Sequence, residues 1–340
     1  DRRQRQMCIR DRENMLRVLK TIGITLTFAL LANSVFAQSK TEPWPNKPVR
    51  FVIPFPAGSA PDVLMRYLGV KLTEKWGQQL IIDNRPGGSG VIGVNAILSA
   101  PTDGYTFGYA QGSAIAIVPK TLKAATYDYQ RDFMPVALVA TSPITIAVPV
   151  DSPYQNLADL VKAAKAKPGS IELADVGMAS VPHLAAESIG LGGGVKFMHI
   201  HYQGGPPAIQ ATVGGQTKAV FETLGPLLGM IQGNKLKVLA SMSDRVEPGL
   251  EKYPLAKSTV KDAVAQGWFA VIAKKGVDPQ IVKKLNADIN AALKLPDVID
   301  KFKEMAAYPR PGTPEDLNKF VLSEEKYWAK VINKLGIKPE

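Results

Sequence analysis

Cysteine is almost missing from this 340-residue chain, with Cys8 the single example, and histidine is nearly as scarce at three residues. Beyond Cys8 there is no thiol nucleophile, no disulfide framework and no thiolate metal site. No Gly-x-Ser-x-Gly elbow exists to expose a serine nucleophile. The formal charge is +11, but Lys and Arg are scattered, and no basic block interleaved with aromatics marks a nucleic-acid surface. A basic surface of this kind attracts acidic solutes instead. Apolar runs stop short of the ~20 residues that span a bilayer. Glycine- or serine-rich linkers, low-complexity tracts and solenoid-length repeats are absent as well.

What is there begins with a targeting layout. Arg17 and Lys20 follow Met15, an apolar stretch covers residues 21–32, and Val35-Phe36-Ala37 supplies small residues at a cleavage site. Residues 15–37 therefore read as a signal peptide, with the mature chain starting at Gln38. Residues 1–14 (DRRQRQMCIRDREN) precede that start methionine, contain a stretch resembling a translated sequencing adapter, and read as a non-native artefact. Residues 1–37 hold seven Lys/Arg against three Asp/Glu, so +11 falls to +7 without them. Cys8 leaves with them.

Strand-like and helix-like segments alternate through most of the remainder. Strands are expected at 49–54, 79–83, 105–110, 144–149, 171–174, 196–200, 218–221, 236–240 and 268–273. Helices are expected near 61–75, 90–99, 156–167, 182–190, 206–213 and 224–232, then near 278–293, 296–306 and 313–334 with no further strand. Such alternation predicts an α/β fold with mostly parallel sheets flanked by helices. About 300 residues exceed what one core comfortably serves, so two lobes are expected. Without a flexible linker, crossover strands near 136–148 and 237–241 would join them and leave a cleft where strand ends meet helix starts.

Small-residue loops sit repeatedly at those junctions. After the first strand come Pro54, Pro56, Ala57, Gly58 and Ser59, then a helix with Ser59 or Ala60 as N-cap and Pro61 at its first position. The first N–H groups of a helix lack internal partners and carry partial positive charge, which suits an anion. Gln111-Gly112-Ser113 repeats the pattern, with Ser113 able to cap. So does the stretch Gly177, Met178, Ala179, Ser180, where Ser180 can cap a helix containing His183. Tyr202 leads into Gly204-Gly205-Pro206 in the same way. Gly88, Gly90 and Gly93 match a dinucleotide fingerprint, but the acid expected at the end of the next strand is replaced by Gln111. Those glycines read as turn formers.

Catalytic constellations are poorly supported. His199 and His201 alternate and face one side of a strand, yet no carboxylate spacing of a familiar metal site accompanies them, so they read as hydrogen-bonded strand histidines. Glu222, at a strand end, reads as a ligand-facing carboxylate or as a cap for a following turn. No catalytic residue, metal or cofactor is expected.

The same segments carry a family resemblance: Trp44-Pro45-Asn46-Lys47-Pro48-Val49-Arg50, Pro54-Phe55 with Gly58 and Asp62, Asn84-Arg85-Pro86-Gly87, Asp103-Gly104-Tyr105-Thr106, His183-Leu184-Ala185, Tyr202 with Gly204, and Gly233-Asn234-Lys235-Leu236. Together and in this order they resemble the periplasmic receptors of tripartite tricarboxylate transporters, the Bug solute-binding proteins, over nearly the whole chain past residue 37. The resemblance implies a two-lobed periplasmic-binding-protein fold of type II character in a Gram-negative periplasm. Lobe 1 would comprise residues 38–140 and 242–340, and lobe 2 residues 141–241. It implies a pincer on a small carboxylate: Phe55, Ala57, Gly58, Ser59, Ala60 and Asp62 from one loop, Gly177, Met178, Ala179, Ser180 and His183 from the other, with Gln111, Gly112, Ser113, Tyr202, Glu222 and Thr223 lining the wall. Tyr109, Phe55 and Met178 would favour a ligand with an apolar portion. The chain departs from the family pattern in its PFPAGSAPD loop, in His201 where proline is common, in Glu222 for an aspartate, and most across residues 247–264.

The expected activity is that of a monomeric, non-enzymatic receptor delivering a di- or tricarboxylate, aromatic carboxylate or acidic amino acid to membrane transporter components, with no nucleic-acid partner. Two rivals stand beside it. One is a secreted enzyme using His183 or Glu222 as acid or base, and the other a sensing receptor for a membrane signalling protein.

Overall fold

The computed structural model describes residues 44–202 and 204–339. The expected signal peptide and the residues before it lie outside them. Residues 47–340 form one compact unit, and its elements follow in chain order. Strand β1 (Val49–Ile53) leads into α1 (Ala60–Trp76), then β2 (Leu80–Asn84), α2 (Val91–Leu98) and β3 (Thr106–Gln111). A wide π-type turn (Ser113–Ile117) continues into α3 (Val118–Thr121), followed by α4 (Tyr129–Asp132) and the 17-residue β4 (Phe133–Pro149). Next come α5 (Leu157–Ala166), β5 (Glu172–Asp175), α6 (Val181–Gly193), β6 (Met198–His201), α7 (Gly205–Val213), β7 (Ala219–Thr223), α8 (Leu224–Gln232) and β8 (Leu236–Ser241). The chain ends with β9 (Gln266–Lys274), α9 (Pro279–Ala292), α10 (Pro296–Glu304), β10 (Tyr308–Pro309) and α11 (Pro314–Leu335).

Two sheets share β4. Residues 133–143 of β4 pair antiparallel with β9, which continues the set β2-β1-β3-β9, while β10 pairs β4 at Thr141 and Ala140. From Ile144 onward the same strand pairs antiparallel with β7 and β8, and the second sheet extends through β5 to β6. The β1–β2, β1–β3, β5–β6 and β5–β7 pairings are parallel, as right-handed crossovers through helices require. Expected strand and helix positions agree closely with these elements. Three details differ. β4 starts at Phe133, ahead of both the strand expected at 144–149 and the crossover strand expected near 136–148, α3 and α4 are additional, and β10 is a strand where no further strand was expected, between two helices.

Helix starts explain much of the local order. Thr313 forms a capping box with Asp316, each side chain taking the other's backbone N–H, and Pro314 opens α11. The apolar face of α11 (Leu317, Val321, Trp328) then packs against β4 and α6, so one helix braces elements belonging to both sheets. Among the described residues, no helix is long and apolar enough to cross a membrane.

Candidate functional site

The first group of expected site residues is assembled by one carboxylate. Asp62, in the first turn of α1, is 2% exposed. Its Oδ2 accepts from the Gly58 N–H at 2.8 Å and from Arg66 Nε at 2.9 Å, and its Oδ1 accepts from Asn84 Nδ2 at 3.0 Å. Asn84 also donates to Phe55 O, which pins both ends of the loop. Burial pushes the Asp62 pKa up, but Arg66, the Gly58 N–H and Asn84 together outweigh it and hold the carboxyl below its usual range. Asp62 thus holds the loop in place, and the Gly58 N–H is already used. The Ser59 N–H and hydroxyl both donate to Pro56 O, so Ser59 is the N-cap without side-chain capping, and Pro61 takes the second helical position rather than the first. Among the described residues, the N–H groups of Ala60 and Asp62 keep no partner.

Gln111, Gly112 and Ser113 stand beside this loop. A Cβ on Gly90 would lie 2.9 Å from Ala114 Cβ and 3.5 Å from Pro54 Cβ, so the end of β3 and the end of β1 meet there. Ser113 does not cap. Gly112 occupies that position, and Ser113 opens the wide turn. Tyr109, two residues before Gln111, is fully buried with its ring tilted against Phe269 at 6.0 Å, and burial raises its pKa.

The second group surrounds residues 177–180. Gly177 (φ +126°) and Ala179 (φ +58°) turn the chain sharply into α6. The Gly177 N–H donates to Asp175 Oδ1 at 3.0 Å, Ala179 N–H to His183 Nδ1 at 3.0 Å, and Ser180 N–H to Gly177 O at 3.2 Å. Ser180 Oγ accepts from the His183 N–H, the expected N-cap of α6. Within this turn the Met178 and Val181 N–H groups keep no partner among the described residues, and Met178 is exposed. Tyr202 N–H donates to Asp175 O, and Tyr202 O lies 3.8 Å from where a Gly177 Cβ would be. Glu222 is buried, and its Oε1 accepts from both the N–H and the hydroxyl of Thr223, while Oε2 faces Gly205 at the start of α7. Burial raises the Glu222 pKa against those two bonds.

All three histidines converge under the second group. His199 Nδ1 lies 3.1 Å from Asp175 Oδ2, and His201 Nδ1 2.7 Å from Asp175 Oδ1. Burial lowers the His199 pKa, but Asp175 and Glu187 overcome it and lift it to about 9. Burial instead takes His183 down to about 4, leaving it neutral with Nδ1 free to accept from Ala179. Sequence reading placed His199 and His201 on one side of the strand. Their carboxylate, Asp175, was missed, although it ends the neighbouring parallel strand in register with His201.

The two groups converge on β9. Gln111 pairs with Phe269, and Thr223 Cγ2 lies 3.0 Å from where a Gly267 Cβ would be, two residues or about 7 Å along the same strand. Among the described residues, no hydrogen bond joins one group to the other. Two surface cavities, of about 350 Å³ beside Arg245 and Arg310 and about 560 Å³ beside Lys165 and Glu187, involve none of the expected site residues.

A family model described as the tripartite tricarboxylate transporter family receptor matches residues 64–337. The chain belongs to that family. Protein BugT of Bordetella pertussis (strain Tohama I) is 32% identical over 327 residues, covering 96% of this chain and 99% of its own. Among solved structures, R. palustris Rpa4515 with adipate is similar at TM-score 0.79 and 29% identity, covering 87% of this chain and 100% of that one. Periplasmic binding protein BugD is similar at TM-score 0.74 and 27% identity, with coverage of 87% and 100%. The mixed α/β architecture of this tripartite tricarboxylate transporter receptor is accordingly that of a periplasmic binding protein.

One receptor position yields a sharp packing prediction. A Cβ on Gly112 would fall 2.4 Å from the indole of Trp268, which is 1% exposed and hydrogen-bonded through Nε1 to Glu324. Neither ring nor backbone can yield cheaply. Gly112→Ala is expected to cost about 1–3 kcal/mol by overpacking, read as a lower urea midpoint with quenched or shifted Trp fluorescence.

Proposed function

We propose that this receptor captures a small organic carboxylate between the turn before α1 and the turn before α6, without turning it over, and hands it to the membrane components of its transporter. The observation that carries the reading is the pair of helix N-termini at the two turns, with the Ala60, Asp62, Met178 and Val181 N–H groups left over after the turns have satisfied themselves internally. Each charge-assisted hydrogen bond contributes ~1.5–3 kcal/mol, so two or three of them with apolar contact reach micromolar affinity. In this reading the first sheet with its helices is one lobe, the second sheet with its helices the other, and β4 and the 242–265 segment are the hinge on which they close. A periplasmic location agrees with the family, and a dicarboxylate is favoured because the similar solved structure of R. palustris Rpa4515, 29% identical, is one with adipate. The enzyme alternative is disfavoured because its candidate acid–base groups are spoken for: His183 Nδ1 accepts from Ala179, and Glu222 Oε1 is held by Thr223.

Thermal-shift screening against linear dicarboxylates, hydroxy-dicarboxylates, tricarboxylates, aromatic carboxylates and acidic amino acids tests this. A bound ligand at a hundred times its Kd adds about 2.7 kcal/mol, and a clear rise in Tm with at least one dicarboxylate is expected. No rise with any carboxylate at millimolar concentration, or consumption of the stabilising compound, would sink the proposal.

A further inference from the structure

We propose that Asp175, His183 and His199, joined by His201, form a binding site for a borderline divalent metal ion of the Zn²⁺ type, behind the turn before α6. Ligand atoms of Asp175, His183 and His199 lie within 4.8 Å of one another. The two carboxylate oxygens of Asp175 each face an imidazole nitrogen, at 3.1 Å for His199 and 2.7 Å for His201. Two ligands on a tetrahedral ion with bonds of ~2.0–2.1 Å stand about 3.3 Å apart, so Asp175 already stands at that spacing from two rings, and ring rotation onto the ion closes the wider gaps of up to 4.8 Å. His183 stands edge-on to both other rings, with centroids at 4.8 Å from each.

The surroundings are those of a metal site rather than of a simple ion pair. Asp175 is completely buried; two of the chain's three histidines contact it, and the third, His183, lies against both of their rings. The His199 side chain is nine-tenths buried, and its Nε2 lies 3.0 Å from Glu187 Oε1 yet off the axis of a hydrogen bond, which leaves that atom without a partner. A ligating histidine characteristically offers its second ring N–H to an outer carboxylate. Once Nδ1 binds an ion, the ring turns and Glu187 becomes that acceptor. His183 presents an unprotonated Nδ1, now taken by the Ala179 N–H, which the ion would replace. Imidazole with one carboxylate selects Zn²⁺, Ni²⁺ or Cu²⁺ over Mg²⁺ and Ca²⁺.

The test is calorimetric titration of ZnCl2, with no carboxylate present, into tag-free, EDTA-stripped and desalted full-length protein. MgCl2 serves as the control ion. One equivalent of Zn²⁺ is expected to bind, with Mg²⁺ silent, and His199→Gln and His183→Gln are expected to weaken binding at least about a hundredfold. His201→Gln, at the more exposed edge of the cluster, keeps the fold and is expected to weaken it at least about tenfold. Thermal melts identify which variants are folded. Absence of one-to-one Zn²⁺ binding below millimolar concentration, or binding that persists undiminished in every folded variant, overturns the site.

Discussion

Asp62→Ala is expected to weaken carboxylate binding by at least about a hundredfold while lowering stability by about 2–3 kcal/mol. The carboxylate contacts no ligand in this reading, so the effect comes through the loop. Removing it leaves the Gly58 N–H and the Asn84 amide without their acceptor, and Asn84 then no longer fixes the carbonyl of Phe55. Hydrogen bonds to a charged group contribute ~1.5–3 kcal/mol, and losing that much at the loop translates into roughly a hundredfold in Kd. Arg66→Gln is the control. That side chain is half-exposed, so its deletion is worth well under 1 kcal/mol. Isothermal calorimetry with the stabilising carboxylate and urea denaturation separate the two effects, and unchanged affinity in a destabilised Asp62→Ala protein would remove Asp62 from the site. The sign of the pH dependence follows from the depressed carboxyl. Its contribution is present above the unfolded value of 3.8 and is lost as pH falls through the lower folded value. Wild type should therefore lose its stability advantage over Asp62→Ala on acidification below about pH 4, not near neutrality.

The positions of the elements were legible because hydrophobic runs and caps coincide in this chain. Thr313-Pro314-Glu315 marks a helix start chemically, and the structure begins α11 there. β4 was only half legible. The crossover strand expected near 136–148 lies within it, and bulges at 135–137 and 138–140 let the strand run on through Pro135 while β9 pairs along it. β10 is two residues long and exists because β4 offers an edge, which no local pattern reveals. At the site, the kind of loop was legible and its free donors were not. Gly58 and Ala179 each find their acceptor four residues on, at Asp62 and His183, and only the backbone angles decide whether such a donor turns inward. Tyr109 shares a strand face with Gln111, two residues on, and its ring is fully buried beside Phe269, a depth that the sequence pattern does not reveal.

Asp175→Ala is the more damaging change for the second turn, with an expected loss of about 3–5 kcal/mol. The side chain is completely buried and accepts from His199, His201 and the Gly177 N–H together. Burial alone would raise its pKa, and those three donors reverse the sign, so the ionised form is the one the fold is built around. Deleting it strands the charge that His199 carries against Glu187 in a site nine-tenths closed to water. The Gly177 N–H loses its acceptor in the same step, which frees a turn held at φ angles that Ala179 tolerates only under constraint. Asp175→Asn separates the two consequences. An amide keeps the shape and one acceptor oxygen for Gly177, yet provides no charge for His199. Urea denaturation in EDTA should rank wild type above Asp175→Asn and that above Asp175→Ala, with amide exchange at Gly177 accelerated most in the alanine variant. Equal stability of all three proteins would mean that the histidines, not Asp175, organise the turn before α6.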